Sequence, residues 1–88
     1  MSEIPGAHVR ENLRTYVLQN FLFSDDPALL NDTVSFRDAR MIDSMGMVEL
    51  ISFMEDTYNF KVLDEDMVPE KFDSIDRLVA FVHQKKGA

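Results

Sequence analysis

Residues 42–50 read Ile42-Asp43-Ser44-Met45-Gly46-Met47-Val48-Glu49-Leu50, and along this stretch a loop gives way to a helix with one serine at the junction. Asp43 suits an N-cap, because its carboxylate can accept from the amides of Met45 or Gly46, which have no carbonyl one turn back. Ser44 then takes the first helical position, where exposed N–H groups and the positive end of the helix dipole favour a phosphate ester. Gly46 is the odd residue. A glycine inside a first turn costs on the order of 1 kcal/mol against alanine and adds no packing, so it marks either a function or a close approach.

Working outward at about 100° per residue, Met47, Leu50, Ile51, Met54 and Tyr58 share one face and form a core stripe. Ser44 lies at the edge of the opposite arc with Met45, Val48, Glu49, Ser52, Glu55 and Asp56. Two apolar side chains thus stand outside the core inside a ring of acids, the pattern of a docking surface. Charge sharpens the picture. Of the net −7, residues 43–70 hold eight carboxylates against the single base Lys61, while the other eight acids and eight bases cancel. Such a field repels nucleic acid and draws in basic protein patches, although dispersed acids alone would do no more than keep a small domain soluble.

The stretch resembles the acyl and peptidyl carrier protein family: Asp-Ser followed by methionine, then an amphipathic helix with Glu-Leu five and six positions after the serine. The resemblance runs from about Ala7 to His83. It implies an all-α four-helix bundle of the acyl carrier protein type, with three main helices, a short third helix and a long loop between the first two. It further implies that Ser44 bears 4′-phosphopantetheine, attached covalently from coenzyme A by a phosphopantetheinyl transferase. Met45, Val48, Glu49, Ser52, Glu55 and Asp56 would face partner enzymes transiently, among them an acyl- or aminoacyl-activating ligase and downstream synthases. The family often has a glycine two residues before Asp-Ser; here Asp38-Ala39-Arg40-Met41-Ile42 stands instead, which bears on the partner that reads this approach.

The 88 residues are expected to form one carrier domain, core about 7–83, acting as a monomer. Without cysteine there is no disulfide framework, and no secretory signal or membrane span is visible, so the expected location is the cytoplasm with no membrane or nucleic-acid partner. Pro5-Gly6 precedes a first helix that begins near Ala7, carries Val9, Leu13, Tyr16, Val17 and Asn20 on one face, and frays around Phe21 to Phe23. Arg10 and Arg14 read as solvated. Residues 24–42 read as a long loop anchored by Leu29, Leu30, Val34, Phe36, Met41 and Ile42. Phe60 and Val62 are expected buried in a linker, and residues 64–67 form one helical turn stopped before Pro69. Asp73 or Ser74 caps a last helix with Ile75, Leu78, Val79 and Val82 inward, Phe72 plugging the gap before it, and Lys85-Lys86-Gly87 closing it.

Of three rival readings, two are set aside on residues and the third stays open. A calcium loop fails because Val68 and Pro69 stand where an oxygen ligand and a glycine are needed. A serine hydrolase lacks the glycine two positions before Ser44, and the only histidines, His8 and His83, sit at the ends of other helices. A plain acidic interaction module would use the same surface without a prosthetic group. On cargo, Met45-Gly46 resembles D-alanyl carrier proteins and free-standing carriers of specialised metabolism more than fatty-acid carriers, while the tryptophan expected of the D-alanyl group is missing after Phe72-Asp73. An acyl or aminoacyl thioester for fatty-acid, polyketide or peptide-type biosynthesis is the expected load.

Overall fold

The computed structural model describes residues 6–86; Pro5, which the sequence reading placed before the first helix, and Gly87, which it placed at the close of the last, lie outside them. Helix α1 spans Gly6–Val17 and runs on into a π-helical turn, Leu18–Leu22. Helix α2 spans Ser44–Tyr58 and α3 spans Ile75–Lys86. Among the described residues every regular element is helical, as the resemblance implied. The short third helix is reduced to two tight 3-10 turns, Asp64–Asp66 and Pro69–Phe72. Val68 between them is extended, the conformation that a following proline imposes, so neither turn can continue into the other.

The apolar stripes meet in one core. Val9, Leu13 and Val17 of α1, Leu50, Ile51, Met54 and Tyr58 of α2, and Ile75, Leu78, Val79 and Val82 of α3 are buried together. Helix α1 packs most extensively on α3. Phe72 is buried at the gap and meets Phe81 edge to face with centroids 4.9 Å apart. Tyr16 is half-buried, stacked on Phe53 of α2, whereas Asn20 is exposed because the π-turn rotates it away from the α1 stripe. Phe60 and Val62 are half-buried against the core rather than within it.

Residues 23–43 cross the bundle as a loop with fixed points. Leu30, Phe36 and Ile42 are buried, and Val34 and Met41 pack against the core; Leu29, expected as a further anchor, stands 56% exposed on a 3-10 turn that points it outward. Arg10 and Arg14 are not merely solvated. Arg10 bridges Asp32 at 2.8 Å and Asp76 at 2.5 Å. Arg14 pairs with the other oxygen of Asp32 and donates to the carbonyls of Leu30 and Pro27. The Asp76 and Phe36 amides in turn donate to the carbonyls of Asp32 and Asp73, which holds the loop along the start of α3. Ser74 Oγ accepts the Arg77 amide as the N-cap of that helix, leaving Asp73 to other work.

Candidate functional site

Asp43 has extended backbone and its Oδ1 accepts the Gly46 amide at 2.8 Å. The Asp43 carbonyl accepts the Met47 amide. The amides of Ser44 and Met45 are left without an acceptor among the described residues. Ser44 is exposed at this open helix end. Gly46 is buried for a steric reason: a Cβ there would lie 2.6 Å from Cε1 of Phe21 and 3.1 Å from both Asp43 Oδ1 and Ile42 Cγ2. The oddity in the sequence therefore marks a close approach, of the π-turn after α1 to the start of α2.

Beside Ser44 lies a groove of about 600 Å3. Ser44, Met47, Val48 and Ile51 of α2 form one side, and Met67, Val68, Pro69 and Phe72 form the facing side. Arg37, Arg40, Asp43 and Asp73 bring charge to it. Met47, placed by periodicity on the core stripe, is half-buried and faces this groove. Burial alone would raise the Asp73 carboxyl, but the Ser35 hydroxyl at 2.6 Å and the Arg37 amide and guanidinium together hold it below the ordinary carboxylate range. Asp66 fixes the facing side from behind. Lys85, the Leu63 amide and Lys71 surround its carboxylate and lower it to about 2.

The outward arc of α2 is open. Met45 is 71% and Val48 61% exposed, and Glu49, Ser52 and Asp56 are exposed beside them. Glu55 differs: its Oε2 accepts the Val62 amide at 2.8 Å, so it ties down the chain leaving α2 as well as edging the surface. His83 lines a separate groove with Arg10 and Asp76, to which Ser44 does not contribute.

No protein-family model matches the chain. A D-alanyl carrier protein of Abiotrophia defectiva is 29% identical over 55 residues, covering 62% of this chain and 70% of that protein. An acyl carrier protein of Brachyspira hyodysenteriae (strain ATCC 49526 / WA1) is 33% identical over 70 residues, covering 80% of this chain and 87% of its own length. The chain belongs to the acyl carrier protein family. Its role is that of a carrier protein, and the all-helical architecture agrees. Among the described residues of the carrier no helix is long and apolar enough to cross a membrane.

Sequence reasoning placed Ser44, Asp43 and the outward arc of the carrier where the structure has them, and missed the groove. Met47 and Met67 could be read as cavity-lining methionines, but the groove's arginines, Arg37 and Arg40, and Val68 of its far wall come from segments with no helical period to betray their direction. The one available signal among these was Arg40 itself, standing where the family's glycine-containing approach was expected.

Proposed function

We propose that Ser44 is the attachment point for 4′-phosphopantetheine and that the carrier delivers an acyl or aminoacyl thioester between enzymes of a fatty-acid, polyketide or peptide-type biosynthesis. The observation that carries this reading is an exposed serine hydroxyl at a capped helix N-terminus with two amides still free. The surroundings fit the group. A phosphodiester on Ser44 Oγ would meet the positive end of α2, and the adjoining groove is broad and mainly apolar.

Ser44 Oγ would act as a nucleophile only in the hands of a phosphopantetheinyl transferase, whose base removes the proton and whose bound magnesium orients the donor. The Oγ–P bond forms at the β-phosphorus of coenzyme A as the P–O bond to adenosine 3′,5′-bisphosphate breaks. Once bound, the group supplies a thiol on a flexible arm that holds a carboxylic acid as a thioester at high effective concentration for the next enzyme. The carrier contributes no general base. Met45 and Val48 offer a small apolar contact, and Glu49, Ser52, Glu55 and Asp56 frame it for basic patches on a transferase, an activating ligase and downstream synthases that exchange on one face. Residues 1–88 act on this reading as one monomeric domain in the cytoplasm.

The decisive experiment is intact mass after incubation with coenzyme A, magnesium and a broad-specificity transferase. A gain of one phosphopantetheine is expected, and Ser44→Ala should abolish it. No gain with several such transferases would favour an acidic interaction module without a prosthetic group. Charging with D-alanine by a cognate ligase, in preference to other acids, would place the carrier with the D-alanyl group.

A further inference from the structure

The charges around the groove do not all find partners. Asp43 is engaged as the cap of α2, and Asp73 is taken up by Ser35 and by Arg37, whose Nε lies at 3.3 Å. Arg40 is left over: it is exposed and, among the described residues, its side chain has neither a carboxylate nor a hydrogen-bond partner. Its backbone makes this harder to dismiss. Arg40 has φ 56°, in the left-handed region that favours glycine. The turn is locked there, with the Arg40 amide donating to the Arg37 carbonyl at 3.1 Å and the Met41 amide to that of Phe36, a fully buried residue, at 2.9 Å. This double closure is how helical turns end on glycine. A long cation stands in a position where its Cβ is a burden, and such strain gathers where a side chain has a task.

We propose that Arg40 is a positioning residue for the loaded carrier, its guanidinium pairing with the phosphodiester on Ser44 and steering the arm along the groove. The inference rests on Ser44 being the attachment point. A phosphodiester adds a further negative charge to a segment already at −7, and the segment's own base, Lys61, does not line the groove. Arg40 is the groove cation free to offset it, and a guanidinium matches phosphate oxygens two at a time.

The test compares apo and loaded carrier, each verified by intact mass, in the wild type and in Arg40→Gln, Arg40→Lys and Arg40→Gly. Loading should move the Arg40 Nε–Hε resonance in the wild type. The melting temperature should rise on loading by about 1–5 °C more in the wild type than in Arg40→Gln, a difference that fades in 1 M salt, with Arg40→Lys retaining part of it. Arg40→Gly should melt higher than wild type as apo protein, because the left-handed turn is relieved, yet lose the same increment on loading. A purely structural arginine would leave the increment unchanged in every variant. An unmoved Nε–Hε signal, or equal increments in wild type and Arg40→Gln, overturns the proposal while attachment stands; failure of Ser44 to gain mass overturns both.

Discussion

Gly46→Ala sets two effects of known size against each other. Alanine is the better helix former by about 1 kcal/mol in a helix interior, so on propensity alone the variant should be more stable. The new methyl carbon would stand 2.6 Å from Phe21 Cε1, well inside contact distance, with Asp43 Oδ1 and Ile42 Cγ2 already tight at 3.1 Å. Phe21 is half-buried and meets Tyr16 edge to face at 5.9 Å, so its ring cannot withdraw without loosening that contact. Overpacking of this kind costs about 1–3 kcal/mol. The overlap wins, leaving a net loss of about 1 kcal/mol, which for a domain of this size lowers the melting temperature by about 4–8 °C. The assay is thermal or urea unfolding of Gly46→Ala alone and in a Phe21→Ala background. With the ring gone, the same substitution should become neutral or stabilising, giving a coupling of about 1–2 kcal/mol. A stabilising Gly46→Ala in the wild-type background, or an equal loss in both, would refute Phe21 as the reason for the glycine.

Asp66, held at about 2 against an ordinary 3.8, contributes stability that is present above the higher value and lost as pH falls from about 4 to 2. Asp66→Asn should therefore melt below the wild type at neutral pH, and the gap should close across that window in pH-resolved unfolding; a gap that persists to about pH 2 would remove the account. Charge reversal at Glu49 or Asp56 should slow partner reactions in a salt-sensitive way with little change in unfolding, because both are exposed. Glu55→Lys should also destabilise the domain, by about 1 kcal/mol, since it strips the Val62 amide of its acceptor. Equal partner rates for the reversed variants at low salt would count against the surface.

How far the sequence could be read follows from the reach of each interaction. The stripes of all three helices were legible because burial on a helix repeats locally: Val9 with Leu13, Leu50 with Met54, Ile75 with Leu78. The site's centre was legible for the same reason, since Asp43 caps a helix three residues away. What escaped is long-range. Arg10 meets carboxylates 22 and 66 positions distant, and Asp73 collects a hydroxyl 38 positions back; nothing near them in the chain announces it. The single turn expected before Pro69 is there, whereas the second turn, Pro69–Phe72, has no periodic signal and was not read from the sequence. Phe21 and Gly46 each looked irregular, and only their meeting explains both.

Asp32 is gripped through its side chain by two arginines of α1 and through its carbonyl by the first turn of α3. The connection between α1 and α2 is thereby split into portions of unequal tolerance to lengthening. Extra residues spliced in at Ser24 to Asp26 would bulge into solvent ahead of these ties, whereas the same insertion between Asp32 and Phe36 would pull apart two strands of contact at once. Natural variation in the length of this connection should therefore gather in its first few positions, and a tag or reporter placed there would leave the serine's presentation undisturbed.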